Sequence, residues 1–137
     1  MNTKKYVFAT LAFIIIGFLI AVVWHLLIFK SVYDSLKIYS IEPIIALGLI
    51  SFILEWLAFV YIFQFFRRGK NPIQEGLIFG LIVYGPIMGG VGVLAEGAKH
   101  ATTSLSTWLI IESAFYILTG IILGTIVGLI YGKSPPE

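Results

Sequence analysis

The sequence predicts an all-α fold, a transmembrane four-helix bundle with up-down-up-down topology, formed by a single domain over residues 1–137. Three observations lead to this fold class: a low content of charge, four long apolar runs, and short polar segments between them. Of the 137 residues 59% are hydrophobic and 12% are charged, with mean hydropathy +1.01. Soluble domains have about 25% charged residues, so this chain has too few polar side chains to surround a soluble core.

The four apolar runs are each about 20 to 24 residues long, and about 20 residues cross the hydrocarbon core of a bilayer. They cover Tyr6–Phe29, Pro43–Phe66, Gly76–Ala95 and Leu109–Tyr131. With their flanking turns, they predict spans over 6–29, 43–66, 72–95 and 105–131. The polar segments between the runs, 30–42, 67–75 and 96–108, are expected to be loops. The first run is longer than a signal-peptide core and lacks a cleavage site, so we expect it to stay as an anchor.

The distribution of Lys and Arg predicts an N-in, C-in orientation. With the N-terminus in the cytoplasm, the cytoplasmic side carries Lys4, Lys5, Arg67, Arg68, Lys70 and Lys133. The opposite side carries only Lys30, Lys37 and Lys99. Short loops rich in Lys and Arg stay in the cytoplasm, so we expect a multi-pass protein of the cell membrane with both termini cytoplasmic.

Two helix ends have clear signals. Asn71 precedes Pro72, which predicts an N-cap followed by a first-turn proline, and Gln74 is expected to close a capping box. Gly132 is expected to end the last helix, because the prolines after it cannot continue a helix.

The fourth span carries four glycines at i+4 spacing, a pattern that lets helices approach closely in lipid. These are Gly120, Gly124, Gly128 and Gly132. They predict a packing ridge, used either against a neighbouring span of the same chain or in a homo-oligomer.

The first two spans each carry a stripe of small and polar residues that we expect to face the inside of the bundle. On the second span the stripe is Gly48, Ser51, Glu55 and Ala58; on the first it is Thr10, Gly17, Ala21, Trp24 and His25.

The third span has a proline and four glycines between Tyr84 and Gly92. Pro86 removes a backbone hydrogen bond and predicts a kink. Softened helices occur at transporter binding sites and also in purely structural spans, so both interpretations stay open.

Glu55 is the main functional candidate, because it lies about 13 residues from Glu42 and about 11 from Phe66, near the expected midplane. A charged carboxylate costs several kcal/mol there and is typically functional. The structural alternative is a neutral acid that hydrogen-bonds to a Tyr or Thr and fixes helix register.

His25 and Glu112 lie at similar depths on the first and fourth spans, so they could pair, as suits proton transfer or metal binding. A solvated or hydrogen-bonded histidine is the alternative. Tyr84, Glu55, Glu112 and His25 are therefore the transport or proton-transfer candidates. Glu96 and His100 would complete a metal site with His25 and Glu112, but no known metal motif is present. We predict no metal, no cofactor and no catalytic residues.

Three sequence features resemble families of small four-span bacterial membrane proteins whose function is uncharacterised. They are the pair Gly17 and Trp24, the glycine-rich third span, and the order Trp108, Glu112, Tyr116, Gly120. This resemblance implies a four-helix bundle and transfers no activity.

The function expected from the sequence is that of a non-catalytic subunit or scaffold of a membrane assembly. The alternative is a small oligomeric transporter or ion or proton pathway that uses the midplane glutamate. An enzyme acting on lipid or quinone has the least support. The expected partners are the lipid bilayer and other membrane subunits or further copies of the chain, and not nucleic acid, because no clustered basic face is present.

Overall fold

The computed structural model describes residues 2–37, 45–99 and 103–133, which are almost entirely helical and contain no strand. Four of the helical segments are long and apolar enough to cross a membrane: Thr3–Ile28, Ala46–Phe66, Pro72–Ala98 and Leu105–Tyr131. The prediction of four apolar helices in an all-α protein is therefore confirmed. The predicted start of the second span at Pro43 lies outside the described residues.

The first span is α1, Thr3–Val22, which continues as a π-helical segment over Val23–Ile28. Asn2 caps α1, since its side chain accepts a hydrogen bond from the Lys5 amide at 3.0 Å. A second helix, α2, covers Lys30–Leu36 and ends at Lys37, whose φ of 53° is left-handed. The expectation of a loop from residue 30 was therefore wrong, because Tyr33 and Leu36 form an apolar face that is buried against the bundle.

The second span is α3, Ile45–Phe66, and the third is built of three segments. These are α4 over Pro72–Ile82, a π-helical segment over Val83–Gly90 that contains Pro86, and α5 over Val91–Lys99. Pro86 has no backbone N–H, so the α-helical hydrogen-bond pattern cannot continue through it, and the chain forms wider π turns there.

The turn before α4 is held by two side chains. Asn71 caps the helix as predicted, because its side chain accepts from the Gln74 amide at 3.2 Å. In a capping box, a second side chain accepts a hydrogen bond from the N-cap amide. Here that side chain belongs to Glu75 and not to the expected Gln74. The Glu75 carboxylate accepts from the amides of Arg68, Gly69, Lys70 and Asn71 at 2.8 to 3.4 Å.

The fourth span, α6, covers Leu105–Tyr131 and packs against α4 through backbone contacts. A Cβ at Gly120 would lie 2.6 Å from the carbonyl oxygen of Gly80, and one at Gly80 would overlap the carbonyl oxygen of Gly120. Gly76 is opposed in the same way by Gly124, and Gly128 by Pro72. Glycines at these positions let the two helices approach more closely than any side chain would permit.

Gly132 takes no part in the α4–α6 contact. Its φ is +62°, it follows the last residue of α6, and the nearest atom to an added Cβ would be the Leu129 carbonyl oxygen at 3.9 Å. This glycine ends the helix, as predicted.

Aromatic side chains fill the core between α1, α3 and α4. Trp56, Phe13, Phe59 and Phe79 are at most 1% exposed. Trp56 fits because Gly17 leaves room for it: a Cβ there would lie 2.9 Å from the indole ring. α1 and α3 contact each other through the ring pairs Phe13–Phe59 and Phe18–Phe52, and Phe63 of α3 contacts Phe79 of α4.

The bundle has two distinct ends. At one, the Lys5 ammonium donates to the Tyr131 carbonyl at 2.7 Å, and the guanidinium of Arg67 lies 4.9 Å from the Tyr131 ring centre. We call this the terminal half. The other end contains α2, both π-helical segments and the start of α6, and we call it the α2 half.

Three of the four residues in the small-and-polar stripe of α3 face away from the core, contrary to expectation, whereas the Glu55 side chain is directed inward to Tyr84. Gly48, Ser51 and Ala58 are exposed on the outside of the chain, and nothing lies within 4 Å of a Cβ built at Gly48. The core is filled instead by the bulky neighbouring face of α3, which includes Trp56 and Phe59. On the first span the expectation of an inward stripe holds for Thr10 and Gly17, which are buried.

Candidate functional site

Three polar side chains from three different segments meet in the α2 half. The Tyr33 hydroxyl donates to Glu112 Oε1 at 2.5 Å, and His25 Nε2 lies 3.4 Å from the same oxygen. His25 Nδ1 lies 2.9 Å from the Ala21 carbonyl oxygen. We call Tyr33, His25 and Glu112 the Glu112 cluster. Glu112 is 8% exposed and Tyr33 is 3% exposed, whereas the His25 side chain is 22% exposed, so the histidine is the member of the cluster nearest the surface.

Local structure explains how these side chains are brought together. His25 lies in the π-helical segment Val23–Ile28, and Glu112 lies about two turns into α6. Tyr33 is positioned by α2, which is fixed to the start of α6: the Thr103 hydroxyl donates to the Ser35 carbonyl at 3.0 Å. Two residues of α2, Tyr33 and Leu36, also form a small buried cluster with Val93 of α5 and Trp108 of α6.

Sequence reasoning missed Tyr33 because it lies in a segment that we expected to be a loop. The spacing of Tyr33 and Leu36, three residues apart and both apolar, is the helical signal that could have identified it. Aromatic rings complete the surroundings of the cluster, since the His25 ring centre lies 5.0 Å from that of Tyr33 and 4.7 Å from that of Phe115.

A second polar pair lies deeper in the bundle, where Glu55 of α3 hydrogen-bonds to the side chain of Tyr84. Tyr84 belongs to the π-helical segment Val83–Gly90, is 1% exposed, and stacks on Trp56 with ring centres 5.0 Å apart. Glu55 Oε1 is buried and accepts no hydrogen bond from the described residues. π-helical turns occur frequently at functional sites, and here one carries His25 and the other carries Tyr84.

Tyr116 lies between the two polar groups. Its ring centre is 5.6 Å from that of Tyr84, and it follows Glu112 by one turn of α6. A cluster of buried aromatic and aliphatic side chains, including Phe59, Phe63 and Val127, occupies the terminal half. Within the described part of the chain, the core of that half is therefore mainly apolar, with the buried hydroxyl groups of Thr10 and Thr119 among its side chains.

Glu96 and His100 are the two other residues that the sequence offered as metal candidates. Glu96 is exposed on α5, and His100 lies outside the described residues. Within the described ranges, no group of three or more His, Cys, Asp or Glu side chains is arranged to hold a metal ion. His25 and Glu112 are thus the pair of predicted metal candidates that the fold brings together.

An apolar groove of about 340 Å³ lies between α1 and α6. Its walls include Ile16, Leu19, Trp24, Leu118 and Ile122, and they offer almost no polar surface. On a membrane-spanning bundle such a surface faces lipid, so the groove gives no indication of a polar ligand.

No protein-family model matches the chain, and no curated protein or solved structure matches it. The basis for a functional proposal is therefore the chemistry of the Glu112 cluster, the Glu55–Tyr84 pair and the outward face of α3.

Proposed function

We propose that this protein is a non-catalytic subunit or scaffold of a membrane assembly. In this proposal the bundle crosses the cell membrane in up-down-up-down order, with both termini in the cytoplasm. Its partner is another membrane subunit or a second copy of the chain. The observation that carries the proposal is the outward position of Gly48, Ser51 and Ala58 on α3, which we call the α3 small-residue face.

Lipid provides no hydrophobic driving force between helices, so small residues on an outer surface favour helix association there. This chain already uses small residues in that way between α4 and α6, where Gly80 and Gly120 permit backbone contact. Gly48 has the same residue type and open space around it. The α3 small-residue face can therefore accept a partner helix without any rearrangement of the bundle.

Replacing Ala58 by Leu tests the proposal, because Ala58 is exposed and a larger side chain there leaves the core untouched. We expect Ala58→Leu to cause dissociation of the assembly, measured as loss of the partner mass in native mass spectrometry of gently extracted membranes. Ala95→Leu is the matched control, since Ala95 is exposed on α5, away from this face. If neither variant changes the mass, or if wild type is a monomer, the proposal is wrong.

The orientation can be tested independently because the chain has no native cysteine. A single cysteine at Thr3 should react with a membrane-impermeant maleimide only after the cells are opened. Labelling of intact cells would overturn the cytoplasmic position of the N-terminus.

An oligomeric ion or proton pathway is the second candidate, favoured by the Glu55–Tyr84 pair. A carboxyl group this deep in the bundle is typical of proton relays, and Tyr116 and the Glu112 cluster extend the polar series towards the α2 half. Because the core of the terminal half is mainly apolar, we expect this function to need further subunits or a conformational change.

Flux measurements in liposomes test this second candidate. We expect Glu55→Gln to lower proton or cation flux at least about tenfold, because the amide cannot exchange a proton. Glu96→Gln is the control, since it makes the same change on the exposed side of α5. Equal flux in wild type and in both variants would remove Glu55 from any transport mechanism.

A further inference from the structure

The contacts of His25 determine which of its two ring nitrogens carries a proton, and Nδ1 is the first of them. This nitrogen lies 2.9 Å from the Ala21 carbonyl oxygen. A carbonyl oxygen can only accept a hydrogen bond, so Nδ1 must carry the proton and donate it. In a neutral imidazole, the other nitrogen, Nε2, would then hold a lone pair and could only accept.

Nε2, however, faces an acceptor. It lies 3.4 Å from Glu112 Oε1, the oxygen that already accepts from the Tyr33 hydroxyl at 2.5 Å. A neutral imidazole opposite an ionised carboxylate would place two lone pairs against each other in a buried site. One additional proton between Nε2 and Glu112 removes this conflict, whether it resides on the imidazole or on the carboxyl group.

We infer that His25 and Glu112 form a proton-binding site that holds one proton between their facing side chains. Its ligand is a proton, and Tyr33 fixes the carboxyl group so that its oxygen faces the histidine. Both placements of the proton, imidazolium with carboxylate or imidazole with carboxylic acid, have zero net charge. A pair of zero net charge is the form that a low-dielectric environment favours.

Among the residues that the structure describes, the nearby charged groups of α2, and Glu96 of α5, are exposed. On α2, Lys30 and Asp34 pair with each other at 2.6 Å on the exposed side of the helix. Glu96 is exposed on α5, and Tyr116 lies one turn further along α6. The bound proton is therefore assigned to His25 and Glu112. This inference does not depend on the assembly proposed above, because it uses no residue of the α3 small-residue face.

The experiment combines two spectroscopic measurements on the full-length protein in detergent at neutral pH. The chain has two histidines, so in a His100→Gln background ¹⁵N-histidine NMR reports on His25 alone. Infrared spectroscopy detects a protonated carboxyl group, and a Glu112→Gln difference spectrum assigns it. We expect either a proton on Nε2 in addition to that on Nδ1, or a carboxylic acid band that disappears in Glu112→Gln.

Glu112→Gln also provides the decisive comparison. With its NH₂ group in the position of Oε1, the glutamine can donate one N–H to Nε2 and the other to the Tyr33 hydroxyl oxygen, so both contacts form without the additional proton. In this variant His25 should be neutral and protonated only on Nδ1. Asp34→Asn, which changes an exposed carboxylate on α2, should leave the His25 spectrum unchanged.

The wild-type spectra alone can overturn the inference, even if the Glu112→Gln variant fails to fold. A neutral His25 with one protonated nitrogen, together with an ionised Glu112, would show that the site holds no shared proton. A His25 that is protonated on both nitrogens in wild type and equally in a folded Glu112→Gln variant would also overturn it, because Glu112 would then play no part in holding the proton.

Discussion

Glycines have different surroundings in the two halves of the bundle. In the terminal half and the middle of the chain, glycines of α4 and α6 bring backbone against backbone, as at Gly80 and Gly120. In the α2 half, Gly89 and Gly97 lie instead against the side chains of Tyr116 and Trp108, and a Cβ added at Gly85, Gly92 or Gly48 would have no atom within 4 Å. A glycine in a membrane helix therefore indicates close packing only where a partner helix is present to use it.

The two halves also differ in the side chains that fill them. The terminal half has an apolar core built by Phe13, Phe59 and Leu123. The α2 half contains π-helical turns and the Glu112 cluster, whose members come from three separate segments. We expect steric substitutions to have their largest effects at the α4–α6 contact and polar substitutions to have theirs in the α2 half.

The largest effect is expected for Gly80→Ala. The added methyl group would overlap the carbonyl oxygen of Gly120, and because that atom belongs to the backbone, the helices must separate. We expect a loss of about 3 kcal/mol in the free energy of unfolding, at the upper end of overpacking effects. Reversible unfolding in detergent, followed by circular dichroism, measures it. A loss below about 1 kcal/mol would contradict the backbone contact between α4 and α6.

An intermediate effect is expected for Tyr33→Phe. The substitution removes the hydroxyl that donates to Glu112 Oε1 and leaves the ring in place, so a buried acceptor loses its donor. We expect a loss of about 1.5 kcal/mol in the free energy of unfolding. Tyr61→Phe is the matched control, because Tyr61 is 49% exposed on α3. If both variants unfold alike, the hydrogen bond does not hold α2 to α6.

The smallest effect, and one of opposite sign, is expected for Gly48→Ala. A Cβ at this position meets no atom of the chain, and alanine costs less conformational entropy than glycine in a helix. We expect a gain of about 0.5 to 1 kcal/mol in the free energy of unfolding of the separated chain. A loss like that of Gly80→Ala would show that Gly48 is packed, and the contrast between the two groups of glycines would fail.

Much of the secondary structure follows from local chemistry and was predicted for that reason. Run length defines the four spans, and the cap at Asn71 and the helix end at Gly132 depend only on adjacent residues. Composition also indicates a membrane protein, because a chain with 12% charged residues has few ways to form a polar surface. The helix α2 was missed because seven residues give a weak periodic signal next to a much stronger apolar run.

The sites depended on contacts between distant segments. The sequence identified His25, Glu112, Glu55 and Tyr84 as candidates, but Tyr33 joins Glu112 across 79 positions, which no local pattern reveals. The inward direction of the α3 stripe was also predicted wrongly for Gly48, Ser51 and Ala58, although not for Glu55. Small residues are compatible with either an inward or an outward position, and the volume of Trp56 and its aromatic neighbours decided which face of α3 fills the core.

The sequence by itself determined that the chain is helical, that it has four apolar segments of membrane-spanning length, and which few polar side chains they carry. These properties follow from hydropathy, length and backbone preference, each of which is read within one segment. The tertiary structure decided which glycines meet, which face of α3 remains open, and which donor reaches Glu112. Those outcomes depend on how side chains of different spans share one limited interior volume, and only packing determines that.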